Sequence, residues 1–323
     1  VTPVRRKPFR LLAAALLAAA LTVSLGPGAA YAEPTPAEIA KQIDEQAEKL
    51  EKVIEDYNKV GEQLKVTRAK AAQLNEQLKP MQDKVDAARQ RIGIVAANAY
   101  KGGNISSTSA MLAASSPKVM VEQLTMLDQF AAGQRRDIEA YTKLKAQYDG
   151  EKSKLDLVLG EQTKQEQDLA AQKTKIQEDI KKLEEQKKKA GVTNPPQPPA
   201  PPAPHLPGPA GKAVDFAYGV IGKPYIFGAE GPNGYDCSGL TLAAWHAGGA
   251  SLPHNAAMQY SQTSRIGRGD LMPGDLVFSN GLGHVAIYIG NDQVIHAPQP
   301  GQNVKIASIT QIGGLYGYGR VRI

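Results

Sequence analysis

Across 323 residues the chain carries 38 Lys and Arg against 32 Asp and Glu, a formal net charge of +6, and a single cysteine. An excess of basic charge invites a nucleic-acid or anionic-membrane partner. Four of these residues, Arg5, Arg6, Lys7 and Arg10, crowd the first ten positions, and the remaining 34 nearly balance the 32 acids, so both partners are excluded.

Behind that basic start, Leu11 to Leu25 form an unbroken apolar run, and Ala30-Tyr31-Ala32 offers an A-x-A cleavage site. This is the layout of a secretory signal peptide, assigned to residues 1–32. The run is shorter than the roughly 20 residues that comfortably span a bilayer, so the expectation is a secreted chain without stable membrane insertion. Both Sec and twin-arginine export fit the paired arginines.

Residues 33–190 read as a rod. Ile43, Leu50, Tyr57, Leu64, Ala71, Leu78, Val85 and Ile92 recur every seven positions, accompanied by Val53, Val60, Leu74, Met81, Ala88 and Val95. Two apolar rows held this long indicate a helix in a coiled coil, and Pro80 predicts a bend in it. The pattern stops at KGGNISSTS, residues 101–109, and resumes with Met120, Leu127, Tyr141, Tyr148, Leu155, Leu169, Ile176 and Leu183 beside Leu124, Ile138, Leu159 and Ile180. Two arms of similar length around a short break predict an all-α antiparallel hairpin, with a parallel dimer as the second arrangement. Nine prolines in the fifteen positions of PPQPPAPPAPHLPGP then mark residues 191–209 as an extended spacer.

Residues 210–323 have the length and mixed pattern of one compact domain. A glycine- and proline-rich loop leads to Asp236, and SGLTLAAWHAGG after it reads as a helix. Asp236 is placed as its N-cap, which sets Cys237 at a helix N-terminus, where unpaired N–H groups favour the thiolate. An inert buried cysteine is the alternative. A nucleophilic thiol needs a base, and histidine serves near neutrality. HVAIYI, 284–289, alternates like a strand, and QVIHAP follows the turn Gly290-Asn291-Asp292. A three-residue loop pairs Ile289 with Gln293 and sets His284 and His296 on one face of the sheet, whereas a two-residue register sends them to opposite faces. His284 is then the candidate base and His296 its orienter. His205, His246 and His254 are read as ordinary histidines. With no second cysteine and no H-x-x-x-H pair, no metal and no other cofactor is expected.

Taken in order, GKPYIFGAEGPNGYDCSGL, LPHNAAMQY, LMPGDLVF, GHVAIYIG and VIHAP resemble the successive motifs of NlpC/P60 cell-wall peptidases. The resemblance implies an α+β, papain-like domain at 210–323, with the nucleophilic helix on a small antiparallel sheet. It implies hydrolysis of peptidoglycan stem peptides, typically between D-glutamate and a diamino acid. The family's nucleophile, base and third polar residue match Cys237, His284 and His296. Asp236 and Ser238 match positions that bind a free L-Ala amine in relatives, and Tyr225 matches a tyrosine near the thiol that helps hold the oxyanion. The break AYKGGNISSTSAMLAASSPKVMVEQLTML resembles the helical hairpin of Rip-type and PcsB-like secreted division hydrolases. That second resemblance implies docking on the extracellular part of an FtsX-type membrane protein, in cell separation or wall remodelling. The rod is expected to recruit the enzyme or control access to its cleft. Two other readings stand beside this one: a non-catalytic wall-binding or divisome activator protein working through the rod, and a transpeptidase or amidase built on the same nucleophile.

Overall fold

The computed structural model describes residues 36–101, 116–191, 203–204 and 206–323. The leader, the Gly/Ser-rich break after Lys101 and most of the proline-rich spacer, with His205, lie outside the described residues. No helix among the described residues is long and apolar enough to cross a membrane.

Two long helices make the rod, α1 (Pro36–Lys101) and α2 (Pro117–Lys189). Ser116 starts α2 by accepting from the Val119 amide, with Pro117 pre-set for the first turn. The helices run antiparallel: Arg68 pairs with Glu166 at 3.0 Å, and Leu78 and Gln82 share a crevice with Tyr148 and Leu155. The first apolar row seals this contact, since Ile43, Leu50, Leu64, Ala71, Leu78 and Val85 are all buried. On α2 the expected rows fail in part. Ile138 and Leu159 are 49% and 42% exposed while Val158 is buried. A straight helix drifts about 20° per heptad from a strict seven-residue repeat, so the inward position moves to a neighbouring residue along a long arm. Pro80 lies within α1, which continues past it as one helix.

The rest is an α+β domain. Helices α3 (Gly208–Gly219), α4 (Cys237–Ala247) and α5 (Ala256–Gln262) accompany a six-stranded antiparallel sheet of order β1-β6-β2-β3-β4-β5. Its strands are β1 (Ser264–Ile266), β2 (Leu276–Ser279), β3 (His284–Gly290), β4 (Gln293–His296), β5 (Lys305–Ser308) and β6 (Leu315–Arg320). Alternation along β3 divides two cores: Val285 and Ile287 pack with Leu240, Ala244 and Trp245 of α4, whereas Ala286 and Tyr288 join Val277, Val294 and Ile309.

The β3–β4 turn corrects the expected loop. Gly290 pairs directly with Gln293, leaving a two-residue loop, Asn291-Asp292, with φ of 52° and 54° at its two positions. That is the left-handed geometry which asparagine and aspartate tolerate in tight hairpins. Alone, this register would separate His284 from His296. A bulge between Tyr288 and Gly290 inserts one extra residue on β3, after which Ile287 lies opposite Ile295. The bulge therefore returns the strands to the pairing that a three-residue loop would have given.

Rod and domain share one apolar core. Ala47, Ile54, Ile176 and Leu183 belong to the same buried cluster as Ala213, Tyr225, Cys237 and Leu240. Tyr57 stacks on Phe227 at 4.9 Å between ring centres, the Gln299 amide donates to Asp44, and the Lys187 ammonium donates to the Pro300 carbonyl.

Candidate active site

Asp236 builds the start of α4. Its Oδ1 accepts from the Gly239 amide at 2.7 Å, and its Oδ2 from the Gly228 amide at 3.1 Å. One carboxylate thus caps the helix and ties down the loop before it. Gly239 is required here, because a Cβ would fall 2.2 Å from the Ala229 carbonyl oxygen. Cys237 follows as the first residue of the helix, as the capping pattern predicts.

At the mouth of the β3–β4 ribbon, His284 Nε2 and His296 Nδ1 are 2.9 Å apart, with the rings edge to face. Both are buried, and His296 Nε2 has no partner among the described residues. Burial, reinforced by the facing His284, pulls the His296 pKa well below its usual value. A neutral His296 suits the tautomer in which its Nδ1 accepts the His284 Nε2–H, which leaves Nδ1 as the His284 nitrogen not committed to His296. The sulfur and a ring nitrogen of His284 lie within 4.8 Å of each other.

Between them stands the rod. Glu51 Oε1 is 3.0 Å from His284 Nδ1. One turn along α1, Glu55 Oε1 accepts from the Ser238 hydroxyl at 2.6 Å and from the Cys237 thiol at 3.5 Å. Its Oε2 accepts from the Ala256 amide at 2.5 Å and the Asn255 amide nitrogen at 2.9 Å. A further turn on, Asn58 donates to Asp236 Oδ2 at 3.0 Å. All three rod side chains are buried. Cys237 is 1% exposed, so a stem peptide does not reach it in this state.

This cover corrects the expected thiol chemistry. The helix start alone favours a thiolate, but burial, followed by the carboxylates of Glu55, Glu51 and Asp236, pushes the Cys237 pKa well above its ordinary value. Burial opposes charge on His284, and the facing Glu51 carboxylate more than offsets it, so its pKa is raised. Burial, then the neighbouring Asp236, lifts Glu55 to about 7, and burial raises Glu51 as well. Burial and the facing carboxylates therefore favour the protonated forms of Cys237, Glu51, Glu55 and His284 while the rod is docked.

The remaining expected residues gather around the same point. Asp236 and Ser238 are buried against Glu55 and Asn58. Tyr225 is 7% exposed, and its hydroxyl has no partner among the described residues. Burial, with the neighbouring Cys237 and Asp236, raises the Tyr225 pKa well above the usual value, so it remains a donor. His254 is not the ordinary loop histidine expected. Its Nε2 lies 2.7 Å from Asp236 and its Nδ1 2.9 Å from Glu230. Burial opposes its charge, but these carboxylates outweigh it and raise the pKa to about 9. Only the HN dipeptide at 254–255 hinted at this, since Asn255 also caps α5. A groove of about 880 Å³ opens beside the paired rings, and its lining includes Asp44, Glu48, Glu51, His284, His296 and Lys305.

Residues 222–315 match the NlpC/P60 family. Among curated proteins, the chain is 44% identical over 110 residues to a probable endopeptidase p60 of Listeria grayi, covering 31% of this chain and 20% of that protein. It is 47% identical over 85 residues to a probable endopeptidase of Corynebacterium glutamicum, covering 26% and 41%. The chain thus spans about a fifth of the length of its Listeria relatives. Similar solved structures include the NlpC/p60 domain of the peptidoglycan hydrolase SagA, 35% identical over 35% of this chain and 98% of that one, TM-score 0.32. Another is a hypothetical invasion protein of Mycobacterium tuberculosis, 29% identical over 42% and 77%, TM-score 0.32.

Proposed function

From a C-terminal domain that belongs to the NlpC/P60 family, we propose that this chain is a secreted cysteine endopeptidase of peptidoglycan stem peptides, held latent by its own rod. The observation that carries the reading is the meeting of Cys237 at the start of α4 with the paired rings of His284 and His296.

In the open enzyme His284 Nδ1 takes the thiol proton, and Sγ attacks the scissile carbonyl carbon to form a C–S bond. The oxyanion is stabilised by the amides at the start of α4 and by the Tyr225 hydroxyl. Collapse breaks the C–N bond, and His284 gives its proton to the leaving amine. Water, activated by the same imidazole, then releases the acyl group. His296 is a positioning residue: it accepts the His284 Nε2–H and fixes the ring. Asp236 and Ser238, with a second carboxylate from Glu230 nearby, offer an acidic pocket for a free stem-peptide amine. The family's usual bond, D-glutamate to a diamino acid, is the proposed target.

The leader-like start supports export, and the hairpin is proposed to dock on an FtsX-type extracellular domain, coupling cleavage to cell separation. Incubating defined wall fragments with the mature chain and weighing the products tests the chemistry. New amine and carboxyl termini at the D-glutamyl bond are expected. Products joined to an added amine would indicate a transpeptidase, loss at a sugar-proximal amide an amidase, and no product even after the rod is displaced a non-catalytic binding protein.

A further inference from the structure

We propose that Glu51, Cys237 and His284 form a zinc site that staples the rod to the peptidase domain and silences the thiol. The proposal deepens the latent-enzyme reading above and rests on its closed arrangement. One donor comes from α1, one from the start of α4 and one from the start of β3, and their ligand atoms all lie within 4.8 Å of one another. None of the three side chains is more than 4% exposed.

The donor set is specific. Thiolate, imidazole and carboxylate together suit zinc, whereas magnesium and calcium prefer oxygen alone. Glu51 Oε1 and His284 Nδ1 are 3.0 Å apart, close to the roughly 3.3 Å edge that two ligands at about 2.0 Å make on a tetrahedral ion. His284 is also braced as a metal-bound imidazole usually is, its other nitrogen held at 2.9 Å by His296. Tyr225 supplies a second, independent observation. Its hydroxyl is buried, lacks a partner among the described residues, and has the titratable groups of Cys237, Asp236, Glu51 and Glu55 as neighbours. A water on the fourth position of the ion would give it one. The groove that ends on Glu51 and His284 is lined at its rod side by Asp44 and Glu48, a route of the right charge for a cation.

Binding involves no redox change. The thiol proton and the proton shared between His284 Nδ1 and Glu51 both leave to solvent, a lone pair from sulfur, from Nδ1 and from the carboxylate goes to the metal, and these donors fill three of four positions. A thiolate held this way does not attack a carbonyl, and Glu51 can reach the ion only while the rod is docked. No motif shows the site in the sequence, because its members come from three separate segments.

The test uses Co²⁺ as a spectroscopic stand-in for zinc, added to the metal-free full chain. The expected result is one equivalent bound, with an intense near-ultraviolet thiolate-to-cobalt band and visible bands of four-coordinate strength, all reversed by Zn²⁺. Cys237→Ala should lose the near-ultraviolet band. Glu51→Gln, which keeps the size and a hydrogen bond to His284, should bind at least about 10-fold more weakly. A chain that binds no cobalt, binds it without the thiolate band, or binds it equally well as Glu51→Gln overturns the proposal. None of those results touches thiol-dependent hydrolysis measured in chelator, so failure of the staple and failure of the peptidase reading are separable.

Discussion

Replacing Cys237 by Ala lowers stem-peptide hydrolysis by at least about 10⁴-fold, because the nucleophile acts as a unit with its base and nothing else nearby can form the acyl intermediate. The buried serine beside it, Ser238, has its hydroxyl committed to Glu55 in the closed state and sits one residue further along the helix. The exchange removes one sulfur from a site already supported by Asp236 and Gly239, so the far-ultraviolet circular dichroism is expected to stay unchanged. Hydrolysis is followed by chromatographic release of fragments from defined muropeptides. A variant retaining a tenth of the activity would place the chemistry on another group.

Removing the rod's two carboxylates has the opposite effect. The double variant Glu51→Ala, Glu55→Ala empties the space beside His284 Nδ1 and frees Ser238, Asn255 and the Ala256 amide. A hydrogen bond between uncharged groups contributes about 0.5–1.5 kcal/mol, so losing the four that reach His284, Ser238, Asn255 and the Ala256 amide corresponds to roughly 100-fold more turnover. Measured in chelator, the gain is largest at low pH, and the sign follows from Glu55. Its closed-state pKa of about 7 stands above that of a free carboxyl, about 4.3. The protonated group therefore favours closure fully below about pH 4.3, and the contribution is lost as pH rises through about 7. Asp236, Ser238, Asn255 and His254 face Glu55 from the domain, and His254, with a pKa of about 9, stays charged across that window. Wild-type hydrolysis should approach that of the double variant as pH rises, and a gap that widens instead would contradict the assignment.

The parts of this arrangement that sequence reasoning could reach are those governed by local rules. Asp236 as cap and Cys237 as first helical residue follow from an acidic residue before an apolar helical run, and the first heptad row of α1 follows from its period. The β3–β4 loop is one residue shorter than its sequence suggests, and His284 faces His296 because the bulge at Ile289 restores the register. A bulge has no single-residue signature in a run such as AIYIG. The rod side chains that cover the thiol leave little trace in the sequence for a different reason. Ala47, Glu51, Ile54, Glu55 and Asn58 sit off both heptad rows of α1, where charged residues ordinarily face solvent. Their burial depends on a partner more than 170 positions away, and the pairing of Asn58 with Asp236 is of that kind. Two apolar residues, Ala47 and Ile54, at helical spacing among those acids were the only local trace of a second buried stripe.

Cys237 is the sole thiol in the chain, so its alkylation by iodoacetamide reports directly on whether the rod covers it. With chelator present at neutral pH, the wild-type chain should react at least about 10-fold more slowly than the Glu51→Ala, Glu55→Ala variant, in keeping with the loss of about 1.4 kcal/mol or more of closure. Equal rates in the two proteins would show that the sulfur is open without any release of the rod, and the latent state described above would be wrong.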